Sequence, residues 1–184
     1  MSHRLLERHP IDMGRDRDSR RLEDLFSQHE QELGRFIAQL VHSRQLADDL
    51  VQETFLAAWR SRGDLDDVRD PRAWLYGIAR HRVLMYLRGW RRAIAAYERF
   101  VERDVQVPPD EADAYAVRDL MARTLSAEER AVIVLFHLHG FRADEIADIS
   151  GKSHDAVRKQ LERARAKLAR AHAGPDEAGE RTTL

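Results

Sequence analysis

Apolar residues along this chain recur at helical spacing almost throughout. Leu22, Leu25, Phe26, His29, Leu33, Phe36, Ile37, Leu40 and Val41 fall three and four residues apart, which predicts a helix of about six turns. Ala47, Leu50, Val51, Thr54, Phe55, Ala58 and Trp59 predict a second amphipathic helix, broken by Gly63 and the run from Asp64 to Pro71. Pro71 suits the first position of a third helix reaching to about Arg92. The pattern then weakens, with Val105, Val107, Pro108 and Pro109 set among acids. A loop inside one compact domain rarely exceeds about 12–15 residues, so residues 94–116 read as a linker between two units.

Helical spacing resumes with Val117, Leu120, Met121 and Leu125. Ser126-Ala127-Glu128-Glu129 has the form of a capping box opening a helix that carries Val132, Ile133, Leu135 and Phe136. A short helix from about Ala143 to Ile149, a tight turn through Gly151, and a long helix from about Ser153 to His172 complete the chain. No stretch alternates with period two for long enough to propose a sheet. The expected fold is all-α: a tail over 1–20, a helical domain over 21–93, the linker over 94–116, a second helical domain over 117–172 and a polar tail over 173–184.

Charge adds a second pattern. The net charge is only -1, which by itself does not suggest nucleic acid. Its distribution does: residues 72–92 hold six Arg and no acid, and 153–172 hold six Lys or Arg against Asp155 and Glu162. Residues 43–70 and 98–119 each hold seven acids, against four and three Arg. Two basic blocks alternating with two acidic ones point to two anionic contacts and a cationic one. The absence of cysteine excludes a disulfide framework, a Cys-ligated zinc and thiol sensing by this chain, and sits easily with a reducing cytoplasm. No apolar run approaches the ~20 residues of a bilayer span, and the charged start, Met1 to Arg21, is unlike a signal peptide.

Helix faces sharpen these contacts. In the last long helix Val157, Leu161, Ala164 and Leu168 form one apolar seam; Lys159, Glu162 and Arg163 point away from it, and Arg158 and Arg165 flank it. With the short preceding helix and the glycine turn, this is a helix-turn-helix whose basic face can enter a major groove. The second helix carries Asp48, Asp49, Gln52, Glu53 and Leu56 opposite its apolar stripe, an acidic face with one leucine that reads as a protein-binding surface. On the third helix Arg80, His81, Leu84 and Arg88 share a side, while Leu75, Ala79, Val83 and Tyr86 share another. Trp74 and Tyr76 follow the acidic loop, where aromatic and cationic groups can handle unstacked bases; Trp74 reads mainly as core.

Three strings then resemble a known family. Ala47-Asp48-Asp49-Leu50-Val51-Gln52-Glu53-Thr54-Phe55 with Trp59 resembles the second conserved region of sigma factors. Pro71-Arg72-Ala73-Trp74-Leu75-Tyr76-Gly77-Ile78-Ala79-Arg80 resembles the promoter-melting helix of their extracytoplasmic-function group. Leu125-Ser126-Ala127-Glu128-Glu129-Arg130, Asp144-Glu145-Ile146-Ala147, and the run from Ala156 to Arg165 resemble the fourth region. The resemblance, over about 22–92 and 118–172, implies a sigma-70-type subunit that binds core RNA polymerase and directs initiation at promoters. It implies that Asp48, Asp49, Gln52, Glu53 and Leu56 dock on the clamp helices of the largest polymerase subunit. The loop Leu65, Asp66, Asp67, Val68, Arg69 and Asp70 would receive a flipped −10 base, with Arg72, Arg80, His81 and Arg88 near the melted strand. Ser153, His154, Arg158, Lys159, Glu162, Arg163 and Arg165 would meet the −35 element, with the polymerase flap beside this domain. The linker would run through the polymerase cleft. An anti-sigma factor is implied as a partner; no membrane insertion, catalytic residue, cofactor or metal is implied.

Several residues depart from the family pattern and bear on promoter sequence. Asp155 replaces a small residue and Ala156 a common threonine. Arg142 stands where a capping serine is frequent, which leaves that helix start poorly capped, and His81 stands where asparagine is frequent. Glu162 either accepts from a cytosine amine or pairs with Arg158 at i, i+4. The rival reading is a stand-alone helix-turn-helix repressor or activator, but only Leu56 and Leu84 lie off the core stripes, too little for a self-association face. An enzyme is disfavoured: His137 and His139 point to different sides of a helix, Glu128 and Glu129 are explained by capping, and there is no glycine-rich phosphate loop.

Overall fold

The computed structural model describes residues 13–41, 43–97 and 112–173. The segments 1–12, 98–111 and 174–184, with most of the expected linker and parts of both tails, lie outside the described residues. Seven helices are described: α1 (Met13–Leu40), α2 (Arg44–Arg60), α3 (Pro71–Tyr97), α4 (Ala112–Thr124), α5 (Ala127–His137), α6 (Ala143–Ser150) and α7 (His154–Ala173). A 3-10 turn, Arg62–Asp66, joins α2 to the loop before α3, and no strand occurs among the described residues. The helical backbone of α1 starts ahead of the apolar periodicity at Leu22, and that of α3 runs past Arg92 to Tyr97.

The helix ends follow local chemistry. Ser43 accepts from the Leu46 amide at 3.3 Å and starts α2. Asp70 accepts from the Ala73 amide at 3.1 Å through Oδ1 and starts α3 at Pro71, whose missing N–H costs nothing there. The capping box of α5 is complete: the Glu129 amide donates to Ser126 Oγ at 3.2 Å, and the Ser126 amide donates to Glu129 Oε2 at 2.9 Å. Replacing Ser126 with Ala should lower the stability of the chain by about 1 kcal/mol, read as a lower thermal midpoint with unchanged helix content. A midpoint that does not move would remove the box from the list of stabilising contacts.

Arg142 opens α6 differently. A guanidinium has no acceptor, so only the reach-back half of a box can form. Glu145 Oε2 accepts from the Arg142 amide at 2.7 Å, and the Arg142 side chain pairs with Asp144 at 2.8 Å. The start of α6 is thus better satisfied than the missing serine suggests.

In the N-terminal unit α1, α2 and α3 bury Leu33, Phe36, Ile37, Leu50, Ala58, Leu75 and Val83. Thr54 is buried too, its hydroxyl donating to the Leu50 carbonyl at 2.7 Å. In the C-terminal unit α4 to α7 bury Met121, Leu125, Leu135, Ile146, Val157, Leu161 and Ala164. The two cores form one continuous hydrophobic cluster, because α6 packs on α3 and α5 on α1. Leu84, which periodicity leaves off the core stripe, is only 2 % exposed and turns toward the start of α5. Among the described side chains of α3, the exposed large apolar ones are Met85 and Trp90 instead.

Candidate nucleic-acid and partner interfaces

The face of α2 is simple. Ala47, Leu50, Thr54 and Ala58 turn inward, which leaves Asp48, Asp49, Gln52, Glu53 and Leu56 together in solvent. Leu56 is 51 % exposed, and none of these three carboxylates makes an ion pair within the described residues. An acidic strip around one apolar side chain can meet a cationic partner surface that has a small apolar socket.

The loop before α3 divides its residues among different tasks. Leu65 is 2 % exposed and belongs to the core, so it is not available to a base; its carbonyl accepts from the Val68 amide at 3.4 Å. Asp66 lies in the 3-10 turn. Asp70 is held as the cap of α3, Val68 is half-buried, and Asp67 and Arg69 are exposed. Val68, Arg69, Trp74 and His81 line a cleft of about 810 Å³ whose remaining wall includes Asp148 and Ile149 of α6.

The cationic residues of α3 are not all in solvent. His81 and Arg88 are exposed. Arg72 is half-buried and engaged by both units: Nη2 donates to the His139 carbonyl at 3.0 Å and lies 3.6 Å from Glu32 Oε2, while the guanidinium covers the Phe141 ring at 4.1 Å. Tyr76 is fully buried; its hydroxyl lies 3.1 Å from His139 Nδ1, and burial pushes its pKa up to about 12. Arg80 is 9 % exposed with no hydrogen-bond partner on Nε. Burial lowers its pKa, against the attraction of Glu128 on α5. Nearby, Arg130 of α5 is buried and donates to the Leu40 carbonyl at 3.3 Å, satisfying an otherwise orphaned acceptor at the end of α1.

The C-terminal unit is a helix-turn-helix. Gly151 takes φ 65°, ψ 30°, the left-handed conformation glycine adopts without strain. The Lys152 amide then donates to the Ala147 carbonyl at 3.1 Å, and Ser153 Oγ accepts from the Ala156 amide at 3.3 Å to start α7. Val157, Leu161 and Ala164 are buried and Leu168 partly so, as the seam requires; Gln160 is buried beside them. Lys152 holds Gln160 at 3.0 Å and Glu128 at 2.8 Å, fixing α7 against α5; its hydrogen bond keeps the Glu128 carboxyl below its usual range.

Ser153, His154, Arg158, Lys159, Glu162, Arg163 and Arg165 are all exposed on α7 and its cap. Glu162 and Arg158 make no ion pair, which disfavours the pairing reading of that acid. Arg163 Nε donates to the Lys159 carbonyl at 3.1 Å. Arg165 lies 5.1 Å over the Phe136 ring and donates to His137 Nε2 at 3.2 Å. Burial, and then this guanidinium, hold His137 below the usual imidazole pKa.

Among the described residues no cluster of three or more His, Cys, Asp or Glu could hold a metal, and no helix is long and apolar enough to cross a membrane. The residues that sequence reasoning missed are Arg130, His139 and Phe141, which join the units, and Lys152, which ties α5 to α7 within the C-terminal unit. Their only signal was that they are polar or apolar groups left over once each helix had its own stripe.

Comparison with known proteins agrees with this geometry. The model of sigma-70 region 2 matches residues 25–93, and that of sigma-70 region 4 matches residues 108–168. RNA polymerase sigma factor CarQ of Myxococcus xanthus is 33 % identical over 152 residues, covering 79 % of this chain and 86 % of that protein. ECF RNA polymerase sigma factor SigL of Mycobacterium tuberculosis is 32 % identical over 143 residues, covering 74 % and 80 %. The solved structure of CnrH in complex with the cytosolic domain of CnrY aligns with a TM-score of 0.66 at 27 % identity, over 85 % of this chain and 90 % of that one. RpoE in complex with the anti-sigma factor NepR from Bartonella quintana shares the fold, with a TM-score of 0.67 at 23 % identity over 83 % and 97 %. With both helical units, their order and these relatives in agreement, the chain belongs to the sigma-70 family of RNA polymerase sigma factors, in its extracytoplasmic-function group.

Proposed function

We propose that this sigma factor divides its work among three surfaces. The acidic face of α2, with Leu56 at its centre, docks on the clamp helices of the largest polymerase subunit, and the C-terminal unit sits by the flap. The loop over 66–70, with Arg72, Arg80, His81 and Arg88, captures and melts the −10 element. The exposed side of α7, with Ser153 and His154, reads the −35 element. Residues 21–93 and 117–172 act as the two working domains, the acidic segment over 94–116 threads the polymerase cleft, and the protein works in the cytoplasm.

The observation that carries this reading is the pairing, in one chain, of an unpaired acidic strip on α2 with an exposed basic face on a helix-turn-helix. A repressor needs the second and not the first. We also infer control by an anti-sigma factor; the support is that solved relatives of matching fold are complexes of that kind.

Run-off transcription with core polymerase on a genomic promoter library tests the whole reading, and a gel shift without polymerase tests the rival, since a repressor binds DNA alone. Within that assay, exchanging the loop over 65–71 for that of another member should change −10 preference and leave −35 preference alone. An unaltered −10 preference would reject the flipped-base role of the loop.

A further inference from the structure

Arg165, on the flank of the −35-reading helix, is not held by α7 alone. Its Nε donates to Nε2 of His137, the last residue of α5, at 3.2 Å. A ring nitrogen that accepts carries no proton, so the imidazole is neutral and holds its one N–H at Nδ1. The guanidinium is fixed a second time by the Phe136 ring at 5.1 Å, and Phe136 meets the His137 ring edge-on at 5.0 Å. The Nη groups of Arg165 make no hydrogen bond or ion pair among the described residues, which leaves the fork of the guanidinium open to an anion. Both side chains are exposed.

No carboxylate balances the pair. Glu129 of α5 is spent on Lys167 and on the Ser126 amide. Glu162, three residues before Arg165 on α7, makes no ion pair with it. The helices packed against α5 are α1, α3, α4, α6 and α7, and among their described residues Arg165 is the one whose charge bears on the His137 ring. We propose that His137 and Arg165 together form a phosphate site at the edge of the −35 contact, and that His137 takes up a proton when the DNA backbone enters it. The inference rests on the reading that α7 lies in the major groove. In the free chain partial burial and the neighbouring guanidinium oppose a charge on the ring and hold its pKa below the ordinary histidine value of about 6.5. A phosphate oxygen reverses both effects. Nε2 gains a proton from solvent, the Arg165 Nε–H turns from the ring to the anion, and the two N–H groups donate to one phosphate. The pKa of the ring is therefore higher in the complex than in the free chain. By linkage the affinity rises as pH falls from above the complexed pKa toward the free one, with a slope of at most about one proton. The phosphate contact also counts one more cation at low pH than at high pH.

The test is the affinity of polymerase loaded with the full chain for a double-stranded promoter fragment, at about pH 8 and about pH 6 and at two salt concentrations. The other histidines are common to every variant, so the comparison with His137→Gln isolates this ring. Glutamine keeps an acceptor for Arg165 and cannot titrate. From pH 8 to pH 6 the parent should gain about three- to tenfold in affinity over His137→Gln, and its salt slope should grow by about one ion. His137→Lys, a fixed cation, should show at pH 8 the larger slope that the parent reaches only at pH 6. Parallel pH profiles for parent and His137→Gln would overturn the site. So would a parent that loses affinity relative to His137→Gln on acidification, because a neutral ring would then be needed to prop Arg165. Either result, with a reduced salt slope in Arg165→Ala, leaves α7 in the groove. If Arg163→Ala and Arg165→Ala also keep the −35 preference and salt dependence of the parent, the phosphate site and the groove assignment fall together.

Discussion

Leu56→Arg should weaken binding to core RNA polymerase by about 2 kcal/mol or more, some thirtyfold, as expected for an apolar anchor near the centre of an interface. The side chain is half in solvent and touches no core, so the isolated fold should change by no more than about 0.5 kcal/mol. The new guanidinium acts twice: it removes the apolar contact, and it lies among Asp49, Gln52 and Glu53, where it neutralises the acids that would steer a cationic partner. A titration of labelled protein with core enzyme measures the loss. Affinity that stays at the unsubstituted value would move the docking surface off α2.

The second large effect is expected on α7. Arg163→Ala should relax preference at one or two −35 positions and cost about 1–3 kcal/mol on the best site. Arg165→Ala should weaken all sites alike and lower the salt slope by about one ion. Because Arg165 also stacks on Phe136, that variant should lose about 0.5–1 kcal/mol of stability, so binding is best compared well below its melting range. Glu162→Ala decides the role of the acid. With no Arg158 pair to break, its removal should erase one base preference by taking away an acceptor for a cytosine amine. Transcription from a promoter library at two salt concentrations separates these outcomes. If all three variants keep the −35 preference and salt dependence of the parent, α7 does not lie in the groove.

The features legible in sequence were those governed by neighbours three or four residues away. The seam of α7, the acidic face of α2, the Ser126–Glu129 box and the Gly151 turn each depend on local geometry, and each is found where its pattern put it. Arg80 and Leu84 share a helical side with the exposed His81 and Arg88, and Tyr76 stands near the helix start; their burial depends on α5 and α6, roughly forty to seventy residues further on. No helical period carries that information. Leu65 failed for a different reason: a loop between acids looked wholly solvent-facing, yet a 3-10 turn rotates one apolar residue into the core. Gln160 beside the α7 seam was invisible because its burial is made tolerable by Lys152 from the preceding turn.

Arg80 is nearly dry in the structure, and in the proposed −10 contact it would lie beside phosphate. Lysine would serve the phosphate as well, but an ammonium is more strongly hydrated than a guanidinium and loses more when stripped of water. A cation asked to suit both a protein interior and a nucleic-acid strand is therefore selected by its hydration, and arginine is the side chain that tolerates both.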